Sequence, residues 1–186
     1  DDTTISGNTN YTGDTTVSGG ALTLSGSIDG KLDLNGGSVV FAADNPIGNG
    51  ANIEINDAGS VLQSDATHTV DADVVANTDI TVAGDNDLTL SGVLSGADAD
   101  LNKNGDGDLT LSGANTRTGN AAVNAGSLTV AGGDALDDAG LVDLAAADAA
   151  FLLNDDETIG SLQGVAGSTV NLGTSALTIA GSASTT

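Results

Sequence analysis

Residues 101–130 read LNKNGDGDLTLSGANTRTGNAAVNAGSLTV. Within and just beyond this stretch, Leu109-Thr-Leu111-Ser-Gly113 and Leu128-Thr-Val130-Ala-Gly132 alternate aliphatic with polar side chains and close on Gly. The pentad returns as Leu22-Thr-Leu24-Ser-Gly26, Ile80-Thr-Val82-Ala-Gly84, Leu88-Thr-Leu90-Ser-Gly92 and Leu177-Thr-Ile179-Ala-Gly181. Shorter members are Leu32-Asp-Leu34, Ile53-Glu-Ile55, Val142-Asp-Leu144 and Val170-Asn-Leu172. A period of two puts the aliphatics on one face of a strand and Thr, Asp, Asn or Glu on the other, so these are half-buried strands. Gly, Asn, Asp and Ser fill the intervals and supply turns. Residues 134–150 are Ala- and Asp-rich, yet Leu141, Val142 and Leu144 fit the strand template better than a helix.

Composition narrows the core. Of 186 residues 27 are Gly, with one Tyr, two Phe and no Trp, Met or Cys, so the core must be built from Leu, Val, Ile and Ala. A compact domain of this length buries about 70% of its unfolded surface around one centre, and large aromatics usually anchor such a centre. Their scarcity points to a thin, repeated core. The net charge is −23, with 24 Asp and two Glu against Lys31, Lys103 and Arg117. That balance excludes nucleic acid as a partner, since phosphate binding requires basic side chains, and it disfavours anionic membranes. No run of about 18 apolar residues is present to insert into a bilayer as a helix. The absence of Cys removes disulfides, a thiol nucleophile and cysteine-ligated metals.

Alternating strands also build antiparallel sandwiches, and internal repetition decides between the two. Residues 6–26 align without a gap to 112–132 with nine identities in 21 positions, at an offset of 106. Shorter echoes separate Leu88 from Leu109 by 21 residues and Leu109 from Leu128 by 19. Farther on, Ile47, Ile53 and Ile55 match Leu136, Val142 and Leu144 at an offset of 89, as if 17 residues, about one coil, were missing from the second unit. A stack of coils tolerates such a loss because each coil touches only its neighbours. The expected fold is all-β: one parallel β-solenoid over 1–186, with repeat units of roughly 1–100 and 101–186 and no significant helix. At about 20 residues per coil and 4.8 Å per strand, roughly nine rungs give a rod about 40–45 Å long. Leu109 and Leu111 are expected to point inward and stack on Leu88, Leu90, Leu128 and Val130. The remaining expected core residues are Leu22, Leu24, Ile53, Ile55, Ile80, Val82, Val170, Leu172, Leu177 and Ile179.

The segment 101–130 resembles the passenger-associated repeat of autotransporter proteins. The resemblance rests on Leu101, Lys103, Gly105, Gly107, Leu109, Leu111, Gly113, Asn115, Thr116, Gly119, Val123, Gly126 and Leu128. Arg117 stands where that repeat usually has Tyr, and Ala121 where it usually has Thr; the first unit keeps the aromatic as Tyr11. Residues 153–164 and 170–173 are similar to the stretch C-terminal to the repeat in such passengers. The resemblance implies a right-handed β-helix exported to the bacterial outer surface, extracellular and displayed or shed. It implies no single activity, because passengers include adhesins, aggregation factors, proteases and esterases.

Four chemistries compete with a purely structural reading. A Ser-His-acid triad would need His68, the only histidine, beside Asp65 and Asp71; such triads form in space from an oriented hydroxyl and base, and a turn histidine accounts for the same residues. A β-helical carbohydrate-active enzyme of pectinase type is the alternative function. Asn77-Thr78-Asp79 matches one of its motifs, and Asp137-Asp138 or Asp155-Asp156 imitates another, but its His and basic motifs are missing. Asp100, Asn102, Asn104 and Asp106 fit the first half of an EF-hand loop and are the candidate metal ligands, although position twelve is Leu111 where a bidentate Glu belongs. Weak Ca²⁺ binding to the acidic surface is expected more than a specific site, and no other cofactor is expected. Finally, stacked outward Thr could form a binding surface, but Thr is an ordinary strand residue.

The sequence therefore predicts a surface-displayed structural or adhesive rod without a catalytic centre. Its expected partners are cell-surface or matrix ligands and further copies of itself. Self-association is expected end to end, because Asp1-Asp-Thr-Thr-Ile5 and Ser182-Ala-Ser-Thr-Thr186 are both compatible with continuing strand and no cap is evident.

Overall fold

The computed structural model describes residues 1–8, 12–48 and 50–181. Tyr11 and Ser182–Thr186 lie outside the described residues. Among the described residues the regular structure is entirely strand, 22 short strands with no helix. All strand pairs are parallel and link segments about 20 residues apart, so the chain winds as a β-solenoid of about nine turns. A nine-stranded sheet runs from Thr3–Ile5 to Ser161–Gly164. A second side carries six strands from His68–Val70 to Thr169–Asn171, and a third carries five, from Thr15–Val17 to Leu94–Ser95. Near the far end, Glu157–Ile159 pairs with Leu177–Ile179 as a two-stranded sheet. Before His68, among the described residues, the second side carries an isolated bridge between Ile28 and Ile47.

Alternation drives the winding. In Leu109–Leu111 the two leucines are fully buried and Thr110 faces outward. Register then places Leu88, Leu109 and Leu128 in one inward column, and Leu90, Leu111 and Val130 in the next. One aliphatic cluster extends from Val17 to Ile159 and includes both phenylalanines, Phe41 and Phe151, at 0% exposure. Residues 134–150 contribute the strand Leu141–Leu144 and no helix. The glycines of the 101–130 motif answer a steric demand: a Cβ on Gly105 would lie 1.9 Å from the Gly84 carbonyl oxygen, and one on Gly107 2.2 Å from that of Asn86.

The structure departs from the sequence expectation in two places. Val170, Leu172 and Ile179 are not buried, and Leu177 is only partly so. They belong to the last described turn, where Val170 pairs with Phe151 and Ile179 with Ile159 on one side only, so the column that buries their neighbours stops above them. The internal repeat is also one side out of phase. Thr15–Val17 lies in the five-stranded sheet, whereas its counterpart Ala121–Val123 lies in the nine-stranded sheet; Ala21–Leu24 lies in the nine-stranded sheet and Ser127–Val130 in the six-stranded one. Ile53 and Ile55 are displaced from Val142 and Leu144 in the same sense. The 17-residue shortening between the two alignments therefore removes one turn, while the repeat itself has advanced by one side.

Replacing Leu111 with Ala should cost about 2–5 kcal/mol, whereas Thr110→Ala on the same strand should stay within about 0.5 kcal/mol. Urea denaturation measures both; equal small effects would place Leu111 on the outer face.

Candidate functional site

Asp100, Asn102, Asn104 and Asp106, the metal ligands expected from sequence, do not converge. Leu101–Lys103 is an extended strand, and Asn102 sits mid-strand between Thr81 and Ala122 of the adjacent turns. Asp100 Oδ1 accepts the Asn120 N–H at 2.7 Å, Asn104 Oδ1 accepts the Asn124 amide at 2.7 Å, and Asp106 is exposed in the following turn. An EF-hand loop needs these oxygens folded around one ion at 2.3–2.6 Å, and an extended strand spreads them out along its own length within one turn. Among the described residues no group of three or more acidic or imidazole side chains is placed to hold a metal.

Asp100 exemplifies the use of acids throughout the molecule. Asp2, Asp44, Asp73, Asp79, Asp87, Asp137 and Asp156 likewise accept backbone N–H groups, from Ala21, Thr69, Val93, Asp100, Asp108, Gly119 and Ala176 respectively, at 2.8–3.1 Å and across 18–25 residues. Each carboxylate caps a neighbouring turn where the strand ladder is interrupted. Asp is short enough to do this from a corner, the same reach that makes it a helix and turn cap. Of the pectinase-like candidates, Asp79, Asp137 and Asp156 are among these caps, while Asp138 and Asp155 are exposed beside them.

His68 has both ring nitrogens occupied by acids, Nδ1 at 3.2 Å from Asp44 and Nε2 at 3.0 Å from Asp65. A triad histidine must present one nitrogen to a hydroxyl, and here neither is offered. The surrounding residues instead close a sheet edge. His68–Val70 is the first strand of the six-stranded sheet, and its outer edge bonds to Asp44 and Asn45 in place of another strand. Thr69 N–H donates to Asp44 Oδ1, Asn45 N–H to the Thr69 carbonyl, and Asp71 N–H to Asn45 Oδ1. The Thr69 N–H, and then His68, hold the Asp44 carboxyl below its usual range. Asn45 adopts φ 48° to make the turn.

The three cations are structural. Lys31 bridges Asp33 at 2.9 Å and Glu54 at 3.0 Å across two turns, and these bonds raise its pKa. Lys103 is buried and donates to the carbonyls of Gly105 and Ala125; burial lowers its pKa. Arg117 is buried with Nη1 on the carbonyls of Ala99 and Asn120, and burial likewise lowers its pKa. Glu157 is buried too, accepting N–H groups from Ala135 at 3.1 Å and Leu136 at 3.4 Å, and burial raises its pKa. Parity could have identified two of these: Lys103 and Glu157 share the inward phase of Leu101 and Ile159. Arg117 sits in a loop with no such signal.

Residues 2–24 and 101–130 match the family model described as passenger-associated-transport-repeat. The chain is a β-solenoid that carries these repeats, consistent with an autotransporter passenger domain, and such repeats imply a surface-exposed or secreted protein. No curated protein and no solved structure matches it.

Glu157 supports two checks. Glu157→Ala would leave two buried N–H groups without an acceptor and should cost about 1–3 kcal/mol in chemical denaturation. Because its folded pKa is raised, its favourable contribution is complete below the ordinary value of 4.5 and is lost as pH rises through the folded value. Glu157→Gln should therefore flatten the decline of stability above pH 4.5, and an unchanged slope would show that Glu157 ionises freely.

Proposed function

We propose that this chain is the rod of an extracellular, surface-displayed passenger: a structural and adhesive scaffold that holds binding surfaces away from the cell. The observation that carries this reading is how the acids are used. Three of the five carboxylates that would serve a hydrolase, Asp79, Asp137 and Asp156, are committed to backbone N–H groups of adjacent turns, and the cations that would hold an acidic glycan are bound to carbonyls or acids of the coil. The transport repeats support display at the cell surface. The remaining outer faces are small and polar, as in the in-register column Thr69, Thr89, Thr110 and Thr129. The high negative charge keeps an exported rod soluble and repels neighbouring rods laterally.

Protease treatment of intact bacteria producing the protein tests the display. The segment should be cleaved or released from whole cells, while cytoplasmic markers stay protected. Full protection in intact cells together with cleavage after lysis would overturn the proposal.

A further inference from the structure

We propose that Asn35 is a site of spontaneous covalent modification, losing its side-chain amide to become Asp or isoaspartate, while the fold spares Asn104 in the same dipeptide. Asn-Gly pairs occur at 35–36, 49–50 and 104–105, and Asn49 lies outside the described residues. In such a pair the glycine backbone nitrogen attacks the Asn side-chain carbonyl carbon. A C–N bond forms, the nitrogen gives its proton to water, and the side-chain nitrogen leaves as ammonia, closing a succinimide. Water then opens the ring at either carbonyl, leaving Asp or a main chain rerouted through the side chain as isoaspartate. Water is the sole co-reactant. A following Gly favours the attack because no Cβ stands in its way and the backbone turns freely.

The fold treats the two described pairs differently. Asn35 follows the strand Leu32–Leu34, Asn56 follows Asn52–Ile55 and Asn77 follows Asp73–Ala76, and the register of these strands stacks the three asparagines on one corner. Within this column Asn77 donates its amide to Asn56 Oδ1 at 2.7 Å, and neither residue precedes a Gly. Asn35 is exposed, and its side chain makes no hydrogen bond among the described residues. Two glycines follow it, Gly36 at φ 127° and Gly37 at φ 81°. A Cβ on Gly36 would meet nothing closer than the Ser18 carbonyl oxygen at 3.5 Å, so this peptide has room to turn toward the side chain. Its N–H donates to Ser60 Oγ at 3.2 Å, a neutral bond that the attack gives up.

At 104–105 the same dipeptide is held. Asn104 is exposed too, so exposure does not separate the pairs, but its Oδ1 accepts the Asn124 amide at 2.7 Å. Gly105 is buried, and a Cβ there would lie 1.9 Å from the Gly84 carbonyl oxygen, so its peptide is pressed against the preceding turn. The Gly105 carbonyl also accepts from Lys103 Nζ. Neither the Asn104 side chain nor the Gly105 nitrogen can swing toward the other without breaking contacts between turns.

Ageing the folded chain in heavy-oxygen water at mildly alkaline pH, with tandem mass spectrometry to read each asparagine separately, tests the proposal. Asn35 should convert first, to Asp and isoaspartate that both carry heavy oxygen, with Asn104 intact over the same interval. In denaturant the two should convert at similar rates, because both precede Gly and the contacts that distinguish them are gone. Asn35→Gln, whose extra methylene disfavours the ring, should leave residue 35 unmodified without changing the fold, since the side chain is exposed. An Asn35 that stays intact in the folded chain, or an Asn104 that converts as fast beside it, would overturn the proposal. An equal preference for Asn35 in denaturant would overturn it as well, by showing that the fold is not what selects the site. The readout is independent of where the protein is displayed, so this inference and the proposed function can fail separately.

Discussion

Every turn of this molecule depends on its neighbours to satisfy its backbone. A strand of three or four residues has no local hydrogen bonds and too little apolar surface to persist alone; it is held because an equivalent strand lies about 20 residues before it and another about 20 after. From that constraint come the thin core, the in-register columns and the intolerance of Cβ atoms at Gly105 and Gly107. Inward leucines stack on inward leucines because the same ladder that pairs the backbones also aligns the side chains.

The acidic composition follows from the same constraint. A three-sided coil must bend between strands, and at some of these bends the ladder lapses and N–H groups turn to side-chain acceptors instead of carbonyls. Asp100 receives the Asn120 N–H while its own N–H goes to Asp79, and Asn120 in turn accepts from Leu141. That relay runs down a corner of the rod as a side-chain continuation of the sheet. Eight Asp side chains serve such corners. The charge that marks the chain as a poor ligand for polyanions is thus first a means of folding, and its effect on solubility and spacing comes with it.

Much of this was legible in the sequence, and the rest was hidden for a definite cause. Pentads such as Leu88–Gly92 and Leu109–Gly113 specify strand, phase and turn, so the solenoid and most of its core could be read directly. The side of the coil on which each pentad falls could not. Ala21–Leu24, Leu109–Leu111 and Leu177–Ile179 carry nearly the same residues yet lie in three different sheets. All three sides face the same aliphatic axis and the same water, so nothing in the pattern distinguishes them. The Asp44–Asn45 edge cap was equally invisible, because its partners are 24–26 residues away and lie in no repeat.

Buried polar groups show where repetition gives way to individual features. Lys103 and Glu157 occupy inward positions that their strands would otherwise give to aliphatics, and each meets backbone groups that a leucine could not satisfy: carbonyls of Gly105 and Ala125 for Lys103, N–H groups of Ala135 and Leu136 for Glu157. Burying a charge is costly unless it is bonded in this way, and each pairing is specific to one place in the stack. A column of identical aliphatics permits slippage by a turn, because every register looks alike from inside. A lysine that finds its carbonyls, or a glutamate its N–H groups, at only one level opposes that slippage. These residues thus fix which turn lies on which, and the aliphatic columns supply the cohesion.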